Sequence, residues 1–256
     1  MNHTPAPLAR GWVVTLGAYR KTDRNDTRNL LLFGALNNPA FFFGNFKQDS
    51  HELRLAFGKG SRLHGQVGGY YFHELSNIEF NLGAPLSGLI IPSIAADATG
   101  FAFPQGPTVA RSKAAFGQVT FDITPELHVT GGIRYTNDFK SRNGRTVLDF
   151  PTAARAAQFS SITSLPCSGT RCTLNQNIAA KTYNKTIYKG GIDYDVPGLG
   201  LIYANVSTGY KAGGFNDGCV AGGGVGCTLN AATLYYNPES PIQKFIKHSS
   251  ILRSGV

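Results

Sequence analysis

The side chains best suited to chemistry in this 256-residue chain are four cysteines and six histidines. The cysteines fall in two close pairs: Cys167 with Cys172 in CSGTRC, and Cys219 with Cys227 in CVAGGGVGC. Neither pair has zinc-ribbon spacing, and no histidine stands at ligand distance in sequence from either. The Gly- and Ser-rich connectors let each pair close a short disulfide loop, with free thiols as the alternative. Disulfides would put these segments in an oxidising compartment. Among the histidines, His51, His64 and His73 would form a metal site if their segments paired. The competing reading makes them polar residues facing a lumen at every second strand position. The stretch GYKAGG (209–214) has the glycines of a phosphate loop. It lacks the Lys-Ser/Thr ending and a following helix, so it reads as a strand end entering a loop. HExxH and GxSxG are absent. Asp122, Arg134 and Asp138 read as ion-pairing residues of a strand face. With no acid, base and nucleophile in combination, neither an enzyme nor a cofactor is expected.

The elements that must position these residues are strands. In LHVTGGIRYTNDFK (127–140), Leu127, Val129, Gly131, Ile133, Tyr135 and Phe139 share one face. His128, Thr130, Gly132, Arg134, Thr136, Asp138 and Lys140 share the other. That is the period of two expected of a strand. The preceding segment repeats it, with Val119, Phe121 and Ile123 opposed to Gln118, Thr120 and Asp122. Seven strands follow from the pattern: 11–20, 51–58, 62–74, 113–123, 127–140, 184–195 and 200–210. The gaps between them are 30, 3, 38, 3, 43 and 4 residues. Compact soluble domains rarely hold structureless loops longer than about 15 residues. Short turns at one end and long loops at the other are instead the rhythm of an up-and-down transmembrane barrel. Such a barrel turns its apolar face to lipid and its polar face to a lumen, and strand pairing satisfies the backbone groups that lipid cannot. The competing fold is a soluble β-sandwich, whose strands also alternate. In the barrel, Tyr71, Tyr135 and Phe139 would belong to an aromatic girdle at the outer interface.

Composition agrees with a barrel. Charged residues make up 15% of the chain, against about 25% in a typical soluble domain. No apolar run reaches the ~18 residues of a membrane-crossing helix. The net charge of +9 is spread along the chain without a basic run, so nucleic acid is not an expected partner. The opening MNHTPAPLAR has no apolar signal core.

Several stretches resemble the TonB-dependent outer-membrane receptors. SHELRL (50–55) leading to GQVGGYYFHE (65–74) is similar to that family's Glu-Leu-Arg-Leu strand and the strand after it. AAFGQVTFDITPELHVTGGIRYTNDFK (114–140) resembles its Ala-x-Phe-Gly-Gln strand, periplasmic turn and Gly-x-Arg-Tyr strand. LIYANVSTGYKAGGFN (201–216) and YYNPE (235–239) complete an ordered match over about residues 11–239. The resemblance implies an all-β, antiparallel barrel segment in the Gram-negative outer membrane, among lipid and lipopolysaccharide. The expected activity is uptake of a scarce solute, most often a ferric siderophore, through a plug-filled barrel of about 22 strands driven by the TonB complex. A passive porin-like channel or a barrel adhesin is the alternative. No plug precedes residue 11 and no TonB box is recognisable. The chain is therefore expected to be an internal barrel segment that does not transport alone. Residues 1–10 would be a disordered or non-native leader and 240–256 a divergent tail. Ligand selectivity is expected from outer-loop aromatics: Phe42 (within Phe41 to Phe43), Phe101, Phe103 and Phe215. Loop packing is their other reading.

Overall fold

A computed structural model describes residues 6–8, 11–32, 36–83, 98–215, 235–236 and 244–247. Its strands are β1 (Ala6–Leu8), β2 (Gly11–Leu32), β3 (Leu36–Phe57), β4 (Leu63–Gly83), β5 (Gly100–Asp122) and β6 (Leu127–Asp149). After helix α1 (Ala153–Thr163) come β7 (Cys167–Ser168), β8 (Arg171–Val196), β9 (Gly200–Thr208), β10 (Gly214–Phe215), β11 (Tyr235–Tyr236) and β12 (Lys244–Lys247). Antiparallel pairing joins β1-β2-β3-β4-β5-β6-β8-β9-β12 in one sheet, with β7 beside β8. The path has two ends that do not meet among the described residues, so this sheet is open. The short ladders of β1 on β2 and β12 on β9 draw residues of both expected flanks into it.

All seven expected strands form, but most run much further outward than expected. The segment expected to end at residue 20 continues to Leu32, and its partner begins at Leu36 rather than 51. Much of the expected 30-residue loop is thus a hairpin standing out from the barrel. The same holds for β5 and β8, which begin at Gly100 and Arg171. The reason is physical. Alternation of apolar and polar residues reports a difference between the media on the two faces. Where that difference ends, the backbone ladder continues without leaving a mark in the sequence.

The register fixes the faces. Val67 lies opposite Gly117, Gly117 opposite Ile133, and Ile133 opposite Tyr188, so all four point one way. On that outward face Leu53, Val67, Phe121, Ile133 and Ile192 are all exposed, Ile133 by 52%. In water this contiguous apolar surface would drive aggregation. Against acyl chains it is the required surface. On β6 the band runs from Leu127 to Tyr135, nine residues, matching the roughly 9 to 11 that a tilted strand needs to cross a bilayer. Short turns close its periplasmic side. At one, Gly58 has φ 75°, and a Cβ there would lie 2.1 Å from the Leu63 carbonyl oxygen. At another, the Thr124 hydroxyl accepts hydrogen bonds from the backbone N–H of Glu126 (3.2 Å) and Leu127 (3.1 Å). This side-chain turn suits the Thr-Pro-Glu step.

Beyond the bilayer the polarity reverses. Ala40, Leu82, Phe101, Leu148 and Cys172 lie opposite one another across β3, β4, β5, β6 and β8 and are all buried. They continue the inward, luminal face, and α1 covers them with Ala156 and Phe159. On the other side of the tip, Ala102 and Val147 are also buried, next to the polar residues Glu79, Asp149 and Arg171.

Candidate functional site

The outer mouth is built from this tip downward. Pro151 and Thr152 start α1, and the Thr152 hydroxyl accepts the Arg155 backbone N–H at 3.3 Å as an N-cap. Ser164 in the left-handed conformation ends it. Phe159 packs on Phe150 with ring centroids 5.0 Å apart. A disulfide joins Cys167 to Cys172 and pins the return strand under the helix. On the other side of the strands from this cap, Arg171 donates to Glu79 and Asp149 at 2.8 Å each. Glu79 first, then Asp149, push its pKa up, so it is a fixed cation.

Inward and below the cap runs an aromatic ladder. Phe101 meets Phe103 edge to face at 4.5 Å. Phe103 reaches Phe80 at 6.3 Å, and Phe80 reaches Phe42 at 6.4 Å. The Arg24 guanidinium lies 4.5 Å over the Phe42 ring. On the opposite, outward face of the same strands, the hydrogen bond from Lys21, together with that from Asn45, holds the Asp23 carboxyl below its ordinary pKa. The Arg24 guanidinium also donates to the Asp26 carboxylate at 3.0 Å, so the ladder offers stacking faces beside a charge-paired guanidinium, which suits a flat aromatic ligand.

Deeper in the lumen the face turns polar. Arg54 pairs with Glu52. Arg134 lies 5.5 Å over Tyr70 and 5.7 Å over Phe116, and donates to the Thr136 hydroxyl at 3.3 Å. Lys140 donates to the Gly213 carbonyl at 2.8 Å, holding residues 209–213 inward. Near the periplasmic turns a concavity of about 800 Å³ is lined by Trp12, His64, Gln66, Gln118, Thr120 and Asp122.

Of the residues singled out from sequence, Phe42 and Phe103 are half-buried members of the ladder. Phe101 is fully buried and has no surface to offer a ligand. Phe215 belongs by its backbone to the β10–β11 ladder. Cys219 and Cys227 lie outside the described residues. The three strand histidines do not gather. His51 and His73 face outward on either side of Asp49, at 3.7 and 3.3 Å. His64 faces the lumen beside Asp122, which also accepts from His128 at 2.6 Å. The outward placement of His51 and His73 corrects the reading of them as luminal residues. Among the described residues no group of three or more His, Cys, Asp or Glu is arranged to hold a metal ion. Arg134 engages aromatic rings rather than Asp122 or Asp138. Phe80, Arg24 and the Arg171 cluster escaped the sequence reading because they fall where alternation stops.

The family model for TonB dependent receptor-like β-barrels matches residues 2–239. The chain belongs to the TonB-dependent receptor family. Its barrel is therefore one of the Gram-negative outer membrane, and the family consists of transport receptors rather than enzymes. The fold of this TonB-dependent receptor barrel is similar to the crystal structure of the ferric yersiniabactin uptake receptor FyuA from Yersinia pestis. The TM-score is 0.62 at 16% identity, covering 85% of this chain and 28% of that one. The chain thus spans under a third of that receptor's length. No curated protein sequence matches it.

Proposed function

We propose that this chain forms a sector, residues 11–239, of a receptor barrel for TonB-coupled uptake of a ferric siderophore. The observation that carries this reading is the inward ladder Phe42–Phe80–Phe103 with Arg24 over one end. It lies on the luminal side of the outer mouth, where an incoming ligand first meets the protein. Aromatic faces beside the Arg24 guanidinium, which is shared with the Asp26 carboxylate, suit a ferric complex built on aromatic donors. Below it, the polar concavity around Gln66, Gln118 and Asp122 is a surface on which a plug domain would pack.

The open sheet has a further consequence. Lipid offers no hydrogen-bond partners to an unpaired strand edge. The sheet therefore needs further strands to seal it, and a plug and TonB contact to be energised. The chain alone does not transport. With the chain as sole receptor, an iron-starved Gram-negative host should accumulate no cytoplasmic radioiron from a ferric catecholate. Outer membranes containing the chain should still retain that complex, less so with Arg24→Ala or Phe42→Ala. Retention equal to that of membranes lacking the chain sinks the siderophore reading. A heat-modifiable, protease-resistant monomer in detergent sinks the claim that more strands are needed.

A further inference from the structure

Residues 209–213 fold inward onto a block of four luminal side chains. Across β6 and β8, Asp138 lies directly opposite Tyr183, and Lys140 opposite Lys181 at the next inward position. The Lys181 ammonium stands 5.4 Å from the centre of the Tyr183 ring. Lys140 donates to the Gly213 carbonyl at 2.8 Å, and on the same segment Tyr210 lies beside the Asp138 carboxylate and Tyr183. Tyr183 is only 5% exposed, and the buried Tyr210 hydroxyl closes no hydrogen bond. Two phenols and a carboxylate thus gather on the luminal wall, on strands other than those of the aromatic ladder.

The donor types say what such a block can hold. A phenol oxygen buried without a partner carries an unmet desolvation cost, and two lysines directly opposed repel each other. A cation on the oxygens relieves the first, and an anion between the lysines relieves the second. The donors include no sulfur and no imidazole, which sets the block apart from zinc and copper sites. Deprotonated, two phenolates and one carboxylate bring three negative charges. All-oxygen, anionic donors of that total charge suit a hard trivalent ion, and ferric iron is such an ion. Three protein oxygens fill half of an octahedral shell. With Asp138 on the metal, the opposed lysines call for a further anion, which can fill positions in the other half.

We infer that Tyr183, Tyr210 and Asp138 ligate ferric iron directly on the luminal wall, together with an oxyanion held by Lys140 and Lys181. Each phenol gives up its proton as the ion binds. The substrate of this site is a ferric complex with open coordination positions, not a saturated chelate. The donor set selects the ion, so failure of the siderophore reading at the aromatic ladder leaves the site standing.

The test reconstitutes the chain in phosphatidylethanolamine vesicles and offers ferric nitrilotriacetate, with and without bicarbonate. The vesicles should retain iron and develop a visible phenolate-to-iron charge-transfer band. Tyr183→Phe and Tyr210→Phe should each weaken retention at least about tenfold, a loss that even an outer-shell partner of a metal ligand can produce. Together they should abolish the band. Lys140→Met with Lys181→Met should also weaken retention, and gallium(III) should compete where zinc(II) does not. Tyr135→Phe, on the outward face, should change nothing. Retention only with bicarbonate identifies the oxyanion as carbonate; equal retention identifies it as the chelator's own carboxylates. Absence of the band in the unmodified chain overturns the site, even if a variant fails to fold. An unaltered band in the folded Tyr183→Phe/Tyr210→Phe double variant also overturns it.

Discussion

The same sheet passes through two media, and its halves solve opposite problems. In the membrane half, Val67, Phe121, Ile133 and Ile192 point outward, while Gln66, Gln118 and Arg134 point inward. In the outer half, Phe101, Leu148, Leu82 and Cys172 point inward and are sealed by α1, while Glu79, Asp149 and Arg171 lie toward the outer surface. Neither arrangement would survive in the other's place. Lipid rewards apolar surface without any covering layer, so the membrane half needs none. Water demands a second layer over apolar side chains, and the chain supplies it as an 11-residue helix. The sheet also changes register here, with irregularities at Ser76/Ile78, Gln105/Val109 and Thr146/Val147. Such bulges let the sheet bend and re-aim its side chains.

The largest expected effect is in the outer half. Phe101 is fully buried between the sheet and α1, so Phe101→Ala should destabilise the tip by about 3 to 5 kcal/mol. Urea-dependent proteolysis between residues 98 and 172 should register that loss. Flotation with vesicles should not change, because nothing in the membrane half touches this core. If flotation fails as well, the two halves are one cooperative unit and the contrast is overstated.

Next comes a matched pair. Val67→Arg, on the outward face midway along the band, should cost about 2 to 4 kcal/mol in folding into vesicles. Ile178→Arg, also outward but in the outer half and exposed by 68%, should stay within about 0.5 kcal/mol. Denaturant titrations of both variants in vesicles give the comparison. Equal costs would mean that the bilayer does not end where the tyrosines are.

That contrast also explains what could be read from the residues alone. The membrane half was legible because its two faces meet different media: the Leu127 to Tyr135 alternation fixed the strand, the face and the barrel together. The outer strands were not, because a ribbon such as Asn25 to Leu32 carries no period. Helix α1 was legible in principle. Asp149, Phe150, Pro151 and Thr152 followed by an Ala-rich run form a helix start signal, overlooked inside an expected loop. The ladder was half legible: Phe42 and Phe103 stand out as loop aromatics, whereas Phe80 and Arg24 join them only through pairings such as Phe42 with Phe80 and Phe80 with Phe103. Sequence also could not separate Phe101, which is core, from Phe103, which is half-buried beside it. Two positions apart on one face, they differ only in what α1 covers.

The disulfide tests the outer half more gently. Cys167 and Cys172 are separated by 5 positions, and loop-closure entropy for so short a link gives roughly 2 kcal/mol. Cys167→Ser, or reduction of the tip, should lower the unfolding free energy of the 98–172 region by that amount, read from its urea midpoint at constant m, and leave Val67 and its neighbours untouched. Cys172→Ser should cost more, since it also buries a hydroxyl in a wholly enclosed position.

The smallest effect concerns how α1 is held in place. Thr152 is its N-cap, and its hydroxyl satisfies one of the backbone N–H groups that a helix start leaves without partners. Thr152→Ala should cost about 1 kcal/mol, and Thr152→Asp should restore it. A helix this short is marginal without tertiary packing. The loss should therefore surface as faster hydrogen exchange at Ala156 and Phe159, and in turn greater exposure of Phe101. Should exchange at Phe159 quicken while Phe101 and Leu148 remain protected, the apolar row across the tip has a second cover besides the helix.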